Sequence, residues 1–76
     1  MRVVIVDDEA PARERLKRLL AAIQGVEVVA EADDGLQAVT MIEAEQPDLV
    51  LLDIQMPGLD GFGVLEALNQ PPLVVF

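Results

Sequence analysis

Asp-Leu-Val-Leu-Leu-Asp-Ile-Gln-Met-Pro-Gly-Leu-Asp-Gly, residues 48–61, is the stretch whose reading decides the fold. Leu49, Val50, Leu51 and Leu52 form an unbroken apolar run, the pattern of a strand buried on both faces of a parallel sheet. The run stops at Asp53, and Pro57-Gly58 soon turns the chain. Asp53 is therefore expected at the carboxyl end of its strand, the edge at which open α/β sheets bind ligands. A charge placed directly after four buried aliphatics is costly unless something pairs with it. Taken alone, a strand that ends in a polar loop explains Asp53 equally well.

A second stretch of the same form lies at the amino end, where Val3, Val4, Ile5 and Val6 run into Asp7, Asp8 and Glu9. If the two strands are neighbours, three carboxylates meet. Two carboxylates about 4 Å apart repel by roughly 4 kcal/mol at an effective dielectric near 20. Three together need a cation, or the protonation of one member. The chain has no His and no Cys, and an all-oxygen donor set suits a hard ion, Mg²⁺ first, then Mn²⁺ or Ca²⁺.

The remaining composition narrows the field. Seventy-six residues allow one small domain with a marginal core. At 53% hydrophobic the chain is too apolar for disorder. No apolar run approaches membrane-spanning length, and Met1-Arg2 followed by four aliphatics and then acids is no signal peptide. A cytoplasmic location without membrane contact is expected. The net charge is −9 and unevenly spread. All five bases (Arg2, Arg13, Arg15, Lys17, Arg18) precede residue 19, and the ten acids beyond it face no base. Such a chain is not expected to bind nucleic acid by neutralising phosphates.

In chain order, residues 2–6 read as the first strand and a helix starts near Ala10-Pro11, where proline is tolerated. Ala12, Leu16, Leu19, Leu20 and Ile23 recur at helical spacing as its buried stripe. Arg13, Glu14, Arg15, Lys17 and Arg18 read as its solvated face, and Gly25 as its stop. Residues 26–30 form a second strand, interrupted by Glu27 as on a sheet edge. Asp33 and Asp34 suit either metal or helix capping, and capping explains them adequately. The second helix spans residues 36–45 with Leu36, Val39 and Ile42 inward, closed by Pro47. A third helix over residues 62–69, inward at Phe62, Leu65 and Leu68, leads through Pro71-Pro72 to a buried strand at residues 73–76. The order β-α-β-α-β-α-β implies a parallel sheet with right-handed crossovers.

With these residues in place, Val-Ile-Val-Asp-Asp-Glu at 4–9, Pro-Asp-Leu-Val-Leu-Leu-Asp at 47–53 and Met-Pro-Gly-Leu-Asp-Gly at 56–61 together resemble the receiver domain of bacterial two-component response regulators. The resemblance covers the whole chain. Residues 8–16 and 52–57 are further similar to receivers that precede a LytTR DNA-binding domain. The resemblance implies a flavodoxin-like, three-layer α/β fold with strand order 2-1-3-4-5. It implies Asp53 as phosphoacceptor, Asp8 as a direct Mg²⁺ ligand, and Asp7 as a ligand directly or through water. Gln55 is implied to add its backbone carbonyl, with Met56-Pro57 shaping the loop. The phosphoryl donor is then a sensor histidine kinase, and a DNA-binding output domain is expected in a full-length parent.

The family has five β–α units, whereas this chain stops within the fourth. The Ser/Thr expected past the fourth strand and the Lys expected at the end of the fifth are absent. A receiver truncated after its fourth strand, impaired in phosphorylation, is the expectation. A non-signalling module that associates through an unfinished sheet is the alternative. Residues 73–76 would form an exposed edge, so a homodimer or higher oligomer is expected. A haloacid-dehalogenase-type hydrolase wants Asp-x-Asp, which Asp7-Asp8-Glu9 does not supply, and a dinucleotide site lacks its Gly-rich turn.

Overall fold

A computed structural model of the chain describes residues 1–53 and 72–75. Four strands, β1 (Arg2–Val6), β2 (Glu27–Ala32), β3 (Leu49–Leu52) and β4 (Leu73–Val75), form one sheet in the order β2-β1-β3-β4. Every neighbouring pair is parallel. Two helices, α1 (Ala10–Ala21) and α2 (Gly35–Glu45), supply the first two crossovers. The expected third helix, and with it Phe62, Leu65 and Leu68, lies outside the described residues, as does Phe76.

β1 is fully covered because it has a strand on each side and packing on each face. Val3, Val4, Ile5 and Val6 are all buried to within 1% of complete. Side chains alternate across a strand. Val4, Val6, Val50 and Leu52 accordingly join Ala32, Ala38 and Ile42 in one cluster beneath α2. Leu51 projects to the other face, where it borders a cleft with Leu16 of α1 and Val75. The helices therefore lie on opposite faces of the sheet, giving the three layers expected.

The first helix departs from its expected packing. None of its residues is buried; Ala12, Leu16 and Leu20 are half-buried, whereas Leu19 and Ile23 are exposed. The helix rests over the β1–β2 half of its face, and its far flank meets solvent. Two of the five residues expected on its solvated face instead reach across to β2. Arg13 and Lys17 both pair with Glu31, and the Arg13 side chain keeps only 16% exposure. The same pairing explains why β2 runs on through Glu31 to Ala32 rather than ending at residue 30. Its charge is neutralised where it stands, and a register shift between Val3 and Val4 lets β2 slip one residue past β1.

In α2 the buried positions are Gly35, Ala38 and Ile42, with Val39 half-buried and Leu36 76% exposed. The inward face is rotated by about one residue from the expected Leu36-Val39-Ile42 stripe, because small side chains at 35 and 38 let the helix approach the sheet closely. Asp34 caps the helix, its side chain accepting from the Gln37 amide at 2.7 Å, as the capping reading held. At the other end Gln46 adopts a left-handed conformation and Pro47 is buried. Replacing Ile42 by Ala should cost about 2–5 kcal/mol, and Leu36→Ala within about 0.5 kcal/mol of nothing, measured by chemical denaturation. Equal losses at the two positions would put the helix back in its expected phase.

Candidate functional site

Two backbone bonds place the acids. The Asp7 amide donates to the Ala32 carbonyl at 3.0 Å, and the Asp53 amide donates to the Val6 carbonyl at 2.9 Å. Each continues a parallel ladder one step beyond its strands, so Asp7 and Asp53 leave the sheet side by side. Asp7 then turns the chain. Its Oδ1 accepts from the Glu9 amide at 2.9 Å, an Asx turn that delivers the chain to α1. The amides of Ala12 and Arg13 donate to the Glu9 carbonyl at 3.1 Å, and Pro11 occupies the first turn.

One carboxylate oxygen from each of Asp7, Asp8 and Asp53 lies within 4.8 Å of the other two. Asp7 and Asp53 are half-buried and Asp8 is exposed. Oxygens sharing one Mg²⁺ at about 2.0–2.1 Å stand about 3 to 4.2 Å apart, and those sharing Ca²⁺ slightly farther. Small side-chain adjustments would bring all three within reach of one hard cation, and the donor set is entirely oxygen. The sequence reading had brought the same three acids together. Gln55, expected to add a carbonyl, and the Met56-Pro57 loop lie outside the described residues. Asp34 caps α2, and the Asp33 amide donates to Gln37 Oε1 at 3.4 Å. A cleft of about 410 Å³, walled by Leu16, Leu51 and Val75, opens beside Asp7 and Asp53.

Beside the acids stands a cluster that sequence reasoning missed. Arg13 donates from Nε to Glu31 Oε1 at 2.9 Å and from Nη1 to the Asp7 carbonyl at 2.7 Å. Lys17 Nζ lies 2.7 Å from Glu31 Oε2 and 2.6 Å from Glu14 Oε1. The available signal was the four-residue spacing of Arg13 and Lys17 on one helix face, with a lone acid at 31 interrupting a strand.

The family follows from the whole chain. A response regulator receiver domain model matches residues 3–76. The chain belongs to that family. This receiver is 50% identical over 80 residues to the positive alginate biosynthesis regulatory protein of Pseudomonas aeruginosa, covering 100% of this chain and 32% of that protein. It is 39% identical over 79 residues to the sensory transduction protein LytT of Bacillus cereus, again covering 100% of this chain and 32% of the relative. Among solved structures it superposes on the response regulator domain of Thermotoga maritima CheB with a TM-score of 0.84 and 39% identity, over 88% of this chain and 50% of that one. This receiver thus spans about a third of the length of the curated relatives it matches. Receiver domains act in two-component regulation and bind Mg²⁺ through acidic residues of the kind assembled here. Among the described residues no helix is long and apolar enough to cross a membrane.

Hydrogen bonds from Lys17, then Arg13, hold the Glu31 carboxyl below its ordinary value. Those from Glu14, then Glu31, hold the Lys17 ammonium above its own. The stability that this receiver draws from Glu31 is present above the unfolded glutamate value of 4.5 and is lost as pH falls through the lower folded value. The share carried by Lys17 is present below 10.5 and is lost as pH rises through the higher folded value. Glu31→Gln should therefore lower the melting temperature at neutral pH, with the gap to the unmodified chain closing below about pH 4.5. A gap that does not depend on pH over that range would mean that Glu31 contributes by packing rather than by charge.

Proposed function

We propose that Asp53 accepts a phosphoryl group from a sensor histidine kinase, and that Asp7, Asp8 and Asp53 hold Mg²⁺ for that transfer with help from the Gln55 carbonyl. The observation that carries this reading is the convergence of three carboxylates at the carboxyl edge of a receiver sheet. In the transfer a carboxylate oxygen of Asp53 bonds to phosphorus in line with the departing group. The phosphorus–nitrogen bond of the donor phosphohistidine breaks, and its electron pair stays with the imidazole. Mg²⁺, when bound, neutralises charge on the phosphoryl oxygens. The backbone tie from Asp53 to Val6 holds the nucleophile in position, which is most of what such a transfer asks of the protein. Arg13 and Lys17 are committed to Glu31.

The 76 residues form part of a receiver within a longer cytoplasmic regulator. A LytTR-type DNA-binding output is supported by the likeness to LytT. Acetyl phosphate with Mg²⁺ should yield a hydroxylamine-sensitive adduct, detected by mass spectrometry, that disappears with chelator and in Asp53→Asn. Labelling that survives Asp53→Asn but not Asp7→Asn would move the nucleophile to the end of β1.

A second reading concerns assembly. Leu73 on β4, the outermost strand described, is 69% exposed, and Val75, Leu19 and Ile23 are also exposed. Each large aliphatic left wet forgoes about 1.5–3 kcal/mol, so two copies gain by covering the β4 edge or the flank of α1. The expected product is a two-fold homodimer, with higher oligomers following if both surfaces pair. Light scattering at micromolar concentration should show a mass above that of one chain. A cooperatively melting monomer would rule this assembly out.

A further inference from the structure

The Asp7 carbonyl belongs to the peptide that joins Asp7 to Asp8, two of the three acids in the cluster. Whatever holds that peptide plane constrains the directions in which both side chains leave the backbone. The carbonyl accepts from Arg13 Nη1 at 2.7 Å. The guanidinium is itself aimed, because its Nε donates to Glu31 Oε1 at 2.9 Å, and a planar fork leaves Nη1 no independent freedom. Glu31 is held in turn by the β1–β2 ladder, where it stands opposite Ile5, and by Lys17 Nζ at 2.7 Å.

We infer that Arg13 is a positioning residue for the cation site, orienting the Asp7–Asp8 peptide from a base anchored on Glu31. The inference rests on the reading of Asp7, Asp8 and Asp53 as cation ligands. Arg13 touches none of the three side chains in the contacts described; it acts through the backbone. Together Arg13, Lys17, Glu14 and Glu31 sum to zero charge, so the cluster holds the loop without repelling an incoming cation. This balance separates positioning from simple electrostatics. Removing the guanidinium makes the neighbourhood more negative, which by charge alone strengthens cation binding. Loss of positioning weakens it.

The test is an Mg²⁺ titration of the full chain followed by amide chemical shifts. In the unmodified chain the amides of residues 7, 8 and 53 should move together. In Arg13→Gln the apparent affinity should fall by about tenfold, the lower end of what outer-shell partners typically carry. The Asp8 amide, attached to the Asp7 carbonyl, should already be displaced before metal is added. Arg13→Met keeps the apolar stem and should behave like Arg13→Gln. Arg13→Lys keeps the charge but not the fork and should fall between. Arg2→Gln removes an ion pair with Glu45 and should leave Mg²⁺ affinity unchanged even where it lowers the melting temperature. Unchanged or tighter binding in any folded Arg13 variant overturns the inference alone. If residues 7, 8 and 53 of the unmodified chain do not respond together, the cation-site reading fails and this inference with it.

Discussion

The pairing of β1 with β3 is the constraint on which everything else depends. Apart from Arg2 at the start of β1, both strands are aliphatic, so their patterns do not distinguish one register from the next by burying one face and wetting the other. A slip by one residue turns every side chain to the opposite face and would carry Asp53 away from Asp7. The register is pinned at its polar ends instead. At the start, the Arg2 amide donates to Asp48 Oδ2 at 2.8 Å, and the Asp48 amide donates to the Arg2 carbonyl at 2.9 Å. At the finish, the Asp53 amide is tied to the Val6 carbonyl. Between these clamps Val3 to Val6 stand opposite Leu49 to Leu52, and hydrophobic burial supplies energy without having to supply direction.

The distribution of charge follows the same logic. In a chain of net charge −9 all five bases precede residue 19, and Arg13 and Lys17 lie near the acids that end β1. These two meet Glu31 across the top of β2, at the end of the sheet where Asp7 and Asp53 emerge. A partly exposed ion pair adds little to stability by itself. Its value here is geometric, since it joins α1, β2 and the loop after β1 into one unit next to mutually repelling carboxylates. Arg2 does similar work at the opposite end of the sheet, donating to the Glu45 carbonyl and carboxylate and so joining β1 to the end of α2.

The readable parts of the sequence were those governed by local chemistry. Unbroken aliphatic runs ending in acids gave β1, β3 and the three clustered carboxylates, and Asp34 before a helical pattern gave a cap. What escaped was set by contacts between elements. In α2 both Leu36-Val39 and Ala38-Ile42 offer an apolar face, and periodicity cannot choose between them. Close approach to the sheet favours the smaller residues. Glu31 falls just outside the strand expected at residues 26–30, because the partners that neutralise it lie 18 and 14 residues earlier on a helix. For the same reason Arg13 and Lys17 looked like ordinary solvated bases.

Among the described residues the two faces of the sheet are unequally closed. Beneath α2 the alternate residues of β1 and β3 merge with Ala38 and Ile42 into a continuous buried cluster. On the α1 face, Leu51 and Val75 line an open cleft with Leu16, and Asp7 and Asp53 stand at its rim. Any chain that covers those aliphatics therefore lies against the two half-buried acids. Burying apolar surface there withdraws water from the carboxylates, and an uncompensated charge resists that withdrawal. Neutralising the acids removes the resistance. With a cation held there as proposed, cover on this face and occupancy of the acidic cluster would be linked in free energy, each favouring the other by the same amount.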